Sequence, residues 1–243
     1  MSLSASEVSK KYEVDLEKTK SALNLIQDGN IILFSVSGKM GSGKDTIGDK
    51  VCESLGRKGY KLESIKFSDP IREEIQEIVS LEKTFSVKKV ANKFNVSCSE
   101  IKTLKSLLGE NSIYQRTSGT RKAAQYWGAD VRRKHDPNYW TKKLAKKIIE
   151  LANLGYGAYT TGARFISDLD LVLNIGGKIV RLETPESVRV ERIFLRDGIK
   201  PSKEHLNHVS ETILDNYKFD RVFDGTLKPT EITCKVEKYL LSK

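Results

Sequence analysis

The sequence contains few cysteine, proline, methionine and tryptophan residues and no long apolar run. Its three cysteines are odd in number and widely spaced, which fits neither a disulfide framework nor a metal site. The longest apolar stretch, residues 31–36, is too short to span a membrane. The first residues lack the charged and apolar regions of a signal peptide. We therefore expect a cytoplasmic protein, in the host cytoplasm if the source is viral, with no membrane partner.

Basic residues are in excess, with 42 lysines and arginines against 32 aspartates and glutamates and a net charge of +10. This charge suits anionic partners such as nucleotides or nucleic acid, although simple solubility would also explain it. The apolar fraction of 38% is ordinary, so the chain can bury a core and global disorder is not expected. The length accommodates one α/β domain with insertions or two small domains.

The most informative feature is a glycine-rich segment, Gly-Lys-Met-Gly-Ser-Gly-Lys-Asp-Thr at residues 38–46. It follows the apolar run and precedes helical spacing, which is the strand–turn–helix context of a phosphate-binding loop. Glycines let backbone N–H groups converge on an anion, the helix adds its positive end, and Lys44 adds a point charge. The alternative is a glycine-rich turn with an exposed lysine. We predict that phosphates, which the resemblance described below assigns to ATP, are bound by Gly38, Lys39, Met40, Gly41, Ser42, Gly43, Lys44, Asp45 and Thr46.

The hydroxyl of this loop is displaced by one position, because Asp45 follows the lysine and Thr46 comes next. This variant resembles the nucleoside monophosphate kinases, in which the hydroxyl is displaced in the same way. Mg²⁺ is expected together with ATP, and Thr46 and Asp69 are the candidate metal ligands.

Apolar segments alternate with helical segments along the chain, which predicts a parallel sheet covered by helices on both faces. The predicted fold is a three-layer α/β P-loop fold of the nucleoside monophosphate kinase type, with five parallel strands. Ligands of such sheets bind at the carboxyl ends of the strands. The predicted strands are residues 31–36, 61–67, 157–161, 178–183 and 220–223.

The predicted organisation is an N-terminal helical extension followed by one kinase domain. Residues 1–29 form the extension, with residues 5–27 helical, and residues 30–243 form the domain. A helical insertion is predicted at about residues 81–115 and a lid at about residues 185–207. The resemblance to the nucleoside monophosphate kinases implies that the insertion is the monophosphate-binding region.

Two arginine stripes are candidate substrate and catalytic groups. On a predicted helix at 118–133, three polar side chains and one glycine recur every three or four residues, on one face: Arg121, Gln125, Gly128 and Arg132. Such a face suits a phosphorylated, hydrogen-bonding molecule. A second stripe, after the fourth strand, could close over transferring phosphates as a lid: Arg189, Arg192 and Arg196. For both stripes, a solvated charged face is the alternative.

Two residues follow strands at the carboxyl edge of the predicted sheet. Arg164 comes after the third strand and is expected to point toward the loop. Asp69 comes after the second strand, where a carboxylate could hold a magnesium-bound water or accept a hydroxyl proton. A turn residue before Pro70 is the equal alternative for Asp69.

The insertion contains a segment, residues 87–105, that resembles a helix-turn-helix. Ala91 is the small residue, Asn95 can adopt the left-handed turn conformation, and Lys102 and Lys105 could contact phosphates. A helical hairpin that caps the substrate is the alternative.

These segments together resemble the bacteriophage-type deoxynucleoside monophosphate kinases, from about residue 31 to the end. The matching positions are residues 41–46, Phe67-Ser68-Asp69-Pro70, Gln125, Gly128, Asp130, Arg133, Asp136, Trp140, Arg164-Phe165, Gly176-Gly177, residues 208–211 and Phe219-Asp220. The resemblance implies transfer of the γ-phosphoryl of ATP to a (deoxy)nucleoside monophosphate with Mg²⁺. It also implies catalytic roles for Lys44, Arg164, Asp69, Arg192 and Arg196, and substrate contacts from Arg72, Arg121, Gln125, Arg132 and Arg133.

The chain departs from the family pattern around the third strand. Gly162 stands where the family tends to have an acidic residue, and the following acid is shifted to Asp168. The sequence therefore leaves open whether Asp45, Asp69 or neither of them organises the metal ion.

Two other functions compete with the nucleotide kinase. One is an ATP-dependent DNA-binding protein that uses residues 87–105, and the other is a P-loop kinase of another small phosphate ester, such as phosphomevalonate. Small-molecule nucleotides are the expected partners, nucleic acid ranks behind them, and a homodimer is left open.

Overall fold

Five short strands form a parallel sheet in the order β2-β3-β1-β4-β5. In the computed structural model, which describes residues 3–242, every residue of β1 and β3 is buried, as expected for central strands covered on both faces. The register places Val36 of β1 opposite Thr161 of β3 and Ser37 opposite Arg181 of β4. The predicted α/β fold with five parallel strands is confirmed, and the strands are β1 Leu33–Ser37, β2 Leu62–Lys66, β3 Gly157–Thr161, β4 Lys178–Glu183 and β5 Val222–Asp224.

The chain divides into two compact units. The first contains the sheet and comprises the residues up to Phe67 and from Thr141 onward, and the second is Ser68–Trp140. Helix α8 (Tyr139–Asn153) starts in the second unit and continues in the first. The other helices of the first unit are α1 Ala5–Tyr12, α2 Leu16–Gln27, α3 Lys44–Gly56, α9 Ile166–Asn174, α10 Glu186–Asp197, α11 Lys203–Leu206, α12 Val209–Thr212 and α13 Pro229–Leu241.

Two apolar clusters cover the two faces of the sheet. Alternate strand residues such as Phe34 and Val180 pack with Ile47 of α3 and Val236 of α13. The residues between them face the other way and pack with α2, α8 and α9 through Leu23, Ile26, Leu144, Ile148, Leu169 and Val172. This alternation produces the three layers and places the end of β1 beside the start of α3.

The N-terminal segment is two helices instead of the single predicted helix. Glu13 has a left-handed conformation, with φ of 56°, which ends α1, and Asp15 caps α2 by accepting the N–H of Lys18. Val8, Tyr12 and Ile26 join the same apolar cluster as α8 and α9. Both helices therefore belong to the core of the first unit.

The second unit is helical and has its own apolar core. Its elements are α4 Asp69–Glu82, α5 Val87–Phe94, α6 Cys98–Leu108, α7 Ser118–Gln125 and a π-helix at Tyr126–Arg133. Trp127 and Trp140 are fully buried there, together with Ile75, Ile101 and Leu104. The predicted regular α-helix over residues 118–133 is wrong in its second half, because the wider π-helical turn changes which residues share a face. Within residues 3–242, no helix is long and apolar enough to cross a membrane.

Candidate functional site

The loop between β1 and α3 has the backbone that a phosphate-binding turn requires. Gly41 and Gly43 have φ of 81° and 94°, a region that other residues rarely adopt. A Cβ atom at Gly41 would also lie 2.6 Å from the carbonyl oxygen of Arg189. Gly43 caps α3, so the N-terminal end of this helix faces the loop. The positive φ therefore favours glycine at both positions, and at Gly41 the nearby carbonyl oxygen also leaves no room for a side chain.

Lys44 is a buried cation, with only 9% of its surface exposed. Its pKa is lowered to about 7, mainly by burial and in part by the nearby Arg164, while Asp45 acts in the opposite direction. Among the described residues, Lys44 has no salt-bridge partner, and the buried hydroxyl of Ser42 has no hydrogen-bond partner. An anion held in the loop would supply the missing charge and acceptors, so this cradle fits the phosphates of a nucleotide.

Asp45 and Arg164 lie beside Lys44 as a second pair of charges. Burial raises the pKa of Asp45. The charges of Lys44, Lys66 and Arg164 and a hydrogen bond with Thr161 lower it by more, so the net shift is downward. Burial lowers the pKa of Arg164 to about 10, and its guanidinium pairs with Glu211. The structure thus brings Arg164 to the loop, as the sequence predicted, and keeps Asp45 ionised.

The turn that carries Arg164 is fixed by a buried carboxylate. Asp168 Oδ2 accepts the backbone N–H of Arg164 at 2.9 Å and of Phe165 at 3.1 Å. Gly162 before this turn has φ of 83°. The glycine at the departure from the family pattern therefore suits the backbone conformation of this structure.

Two arginines of α10 hold the loop by its backbone. Arg189 Nη1 donates to the carbonyl of Met40 at 3.1 Å, and Arg192 Nη1 donates to that of Ser42 at 3.4 Å. Arg192 Nη2 also donates to the carbonyl of Gly225 at 3.0 Å, whereas Arg196 pairs with its neighbour Asp197. In this structure the predicted lid arginines at 189 and 192 therefore tie α10 to the loop.

A cavity of about 640 Å³ lies at the carboxyl ends of β4 and β5. Its lining mixes cations, acids and apolar side chains, which are Lys39, Arg181, Leu182, Glu183, Thr184, Pro185, Arg189, Asp215, Val222, Phe223 and Asp224. Sequence reasoning did not select Arg181, Glu211 or Asp215 as site residues. Periodicity carries no signal for them, because their partners are far away in the chain, and residues 208–211 entered only through the family resemblance.

The predicted substrate residue Arg132 is part of a buried network inside the second unit. Its Nε donates to Glu74 at 2.5 Å and its Nη1 to the carbonyl of Phe94 at 2.6 Å. Its guanidinium lies 5.0 Å and 4.7 Å from the ring centres of Trp127 and Tyr139, which also donate to Glu74. Arg132 therefore has internal partners for its charge.

The other predicted residues of the second unit are buried, as Gly128 and Arg133 are, or partly buried. A Cβ atom at Gly128 would lie 2.9 Å from Ile71, so the glycine permits packing against that side chain. Arg133 Nη1 donates to the carbonyl of Pro137 at 3.3 Å, and Asp69 is the first residue of α4. Arg72, Arg121 and Gln125 are half-buried.

Residues 87–105 form two helices joined by a tight turn, as the helix-turn-helix pattern predicted. Asn95 has φ of 52°, and Ala91 and Ile101 are buried. Two of the lysines are engaged by acids, since Lys93 pairs with Glu77 and Lys105 with Glu82.

The loop offers few protein ligands for a metal ion. Within residues 3–242, no group of three or more histidine, cysteine, aspartate or glutamate residues could hold one. Thr46 is exposed on the first turn of α3, next to the ionised Asp45. This donor set fits Mg²⁺ that is bound largely by nucleotide phosphates, which is the usual mode for this ion.

No protein-family model and no curated protein matches the sequence. Among solved structures, the chain is similar to a gluconokinase from Sinorhizobium meliloti, with 16% identity over 86% of this chain and 91% of that one, at a TM-score of 0.43. A sugar kinase from Janibacter sp. has 17% identity over 86% of this chain and 94% of that one, at a TM-score of 0.49. Shikimate kinase from Aquifex aeolicus has 16% identity over 86% of this chain and 96% of that one, at a TM-score of 0.40. At these values the similarities identify neither a family nor a substrate.

The sheet order, the glycine-rich loop after β1 and the helices on both faces define the class as a three-layer α/β fold with a loop of the phosphate-binding kind.

Proposed function

We propose that this protein is a phosphotransferase that moves the γ-phosphoryl group of ATP to a (deoxy)nucleoside monophosphate. The observation that carries the proposal is the buried, unpaired Lys44 at the centre of a glycine cradle, with Arg164 beside it. A buried cation that lacks an internal counter-charge, as Lys44 does, is poised for an anionic ligand. Bound ATP would supply the transferable phosphoryl group, and Mg²⁺ would neutralise charge on its phosphates.

The candidate residues of the first unit have distinct parts in the proposed reaction. The loop N–H groups and Lys44 bind the phosphates of ATP. Asp45 and Thr46, which follow Lys44 in the chain, are the residues that would help to hold the metal ion. Arg164 stabilises the charge that develops on the transferring group. Catalysis of this kind is mainly positioning and charge stabilisation, so a proton-transfer residue is not its main requirement.

The nucleoside monophosphate acceptor is supported by the displaced loop hydroxyl and by the family resemblance. Arg72, Arg121, Gln125 and Arg133 stay candidates for acceptor contacts, and Asp69 stays a candidate for catalysis or metal binding. Arg132 is the weakest of the set, because its guanidinium already pairs with Glu74 within the chain.

The test is an ADP-release assay with a panel of acceptors. The panel contains each ribo- and deoxynucleoside monophosphate, phosphomevalonate, gluconate and shikimate. We expect turnover with at least one nucleoside monophosphate, and loss of turnover in Lys44→Ala with its folded-state circular dichroism unchanged. Turnover with phosphomevalonate, gluconate or shikimate alone would contradict the nucleoside monophosphate acceptor and identify another one. Wild-type turnover by Lys44→Ala would contradict the role of the loop.

Nucleic-acid binding is the second candidate, favoured by the left-handed turn at Asn95 between α5 and α6. It ranks behind the kinase because Lys93 and Lys105 are paired with glutamates. Salt-dependent DNA binding that is lost in Lys102→Ala, with no turnover on any acceptor, would support it in place of the kinase.

A further inference from the structure

A short segment after α10 contacts the phosphate loop at two neighbouring residues. We define the strap as residues 203–217, which include α11 and α12. The backbone N–H of Met40 donates to Glu211 Oε2 at 2.9 Å, and Lys39 Nζ donates to Asp215 Oδ2 at 2.7 Å. These two carboxylates come from one segment, four residues apart in the chain, and bind consecutive residues of the loop.

Glu211 is a buried carboxylate with two different partners. Only 3% of its side chain is exposed, and its second oxygen, Oε1, pairs with Nη1 of Arg164. A carboxylate this deeply buried requires partners for its charge, and here they are a loop amide and a catalytic candidate. Arg164 Nη1 is also 3.5 Å from the carbonyl of Ser210, so the strap holds this nitrogen twice.

This bridge fixes the Arg164 side chain relative to the loop. The backbone of Arg164 is held separately, through the Asp168 carboxylate. A long arginine side chain has many rotamers, and groups that stabilise a reaction work best when their geometry is set beforehand. Glu211 supplies that restraint at the guanidinium end, where a transferring group would be contacted.

We propose that Glu211 is a positioning residue that sets the Arg164 guanidinium for the transferring phosphoryl group. The inference rests on the proposed phosphoryl transfer from ATP, but it does not depend on which acceptor is used. Asp215 shares the strap but is itself 39% exposed, against 3% for Glu211, and it binds Lys39 and not Arg164.

The experiment is a double-mutant cycle on Glu211 and Arg164, read by nucleotide binding. Affinity for ADP is measured with and without aluminium fluoride, which with ADP mimics the planar transferring phosphoryl group and needs no acceptor. We expect aluminium fluoride to tighten ADP binding in the wild type. The ratio of ADP affinity with fluoride to that without it should fall at least about tenfold in Glu211→Gln and in Arg164→Ala. In the double variant this ratio should fall no further than in Arg164→Ala alone.

Controls separate positioning from folding. ADP affinity without fluoride is measured for every variant and is the reference against which its own fluoride-dependent tightening is calculated. Glu231→Gln, which removes an exposed carboxylate paired with Lys235, should behave as the wild type. If Glu211→Gln lowers the melting temperature markedly, Glu211→Asp keeps the charge at a shorter reach and should show an intermediate loss.

Three results would overturn the proposal. They are additive losses in the double variant, unchanged or tighter fluoride-dependent binding in Glu211→Gln, and no effect of fluoride in the wild type. A negative acceptor panel combined with a coupled cycle would instead reject the proposed acceptor and keep the role of Glu211.

Discussion

At the residue scale, two buried cations differ in what surrounds them. Arg132 and Lys44 are 7% and 9% exposed. Arg132 has a buried carboxylate and aromatic faces, so its charge is satisfied within the chain. Lys44 has a lowered pKa and, in the described residues, no ion pair. This contrast distinguishes a cation whose charge is balanced within the fold from one that has no internal counter-charge.

The state of Lys44 predicts that nucleotide binding takes up a proton. With a pKa of about 7 in the ligand-free protein, Lys44 is mostly neutral at pH 8. Phosphates would raise this pKa toward its ordinary value, so binding of MgATP at pH 8 should draw about one proton from the buffer, and affinity should fall as the pH rises above 7.

Calorimetry in two buffers of different ionisation heat measures this proton directly. The Lys44→Met variant should bind more weakly and show no such uptake. Equal uptake in the variant, or none in the wild type at pH 8, would contradict the assignment.

The Arg132 network predicts a large loss of stability on removal of one partner. Glu74→Gln leaves the guanidinium buried without its counter-charge, so unfolding free energy should fall by about 3–5 kcal/mol. The matched control is Glu77→Gln in the same helix, which breaks an exposed pair with Lys93 and should change stability by at most about 1 kcal/mol. Urea unfolding of both variants decides, and equal losses would be incompatible with the assigned structural role.

At the element scale, the loop is held between α3 and α10. Gly43 starts α3, and the carbonyls of Met40 and Ser42 accept from the arginines of α10. A lid on α10 would have to release these contacts in order to move. The structure therefore makes α10 part of the loop's support, while its role as a mobile lid stays a prediction.

This close packing predicts a specific effect of a single methyl group. Gly41→Ala would place Cβ 2.6 Å from a backbone oxygen of α10, which cannot be relieved by a side-chain rotation. We expect nucleotide affinity to fall at least about tenfold. Gly59→Ala is the control, because Gly59 also has a positive φ of 92° but nothing within 4 Å of the added atom.

The control should lose about 1–2 kcal/mol of stability and no nucleotide affinity. Titration of both variants with a fluorescent ATP analogue compares them. Tight binding by Gly41→Ala would show that the loop does not need its present contact with α10.

At the scale of the whole molecule, the sequence indicated the sheet better than the contacts around it. All five strands and the loop were predicted because apolar runs and glycine spacing are local signals. The break at Glu13 and the π-helix depend on backbone conformation that periodicity does not reveal. The pairs Glu74–Arg132 and Glu211–Arg164 join residues 58 and 47 positions apart, so only the folded chain brings them together.

Phosphoryl transfer to a nucleoside monophosphate is tested most directly by product detection. Wild-type protein, ATP and Mg²⁺ are incubated with each nucleoside monophosphate in turn, and ³¹P NMR follows the products. We expect ADP and the matching nucleoside diphosphate to appear in equal amounts, with Lys44→Ala inactive. ATP that stays intact with every monophosphate, while the loop still binds nucleotide, would contradict the proposed function.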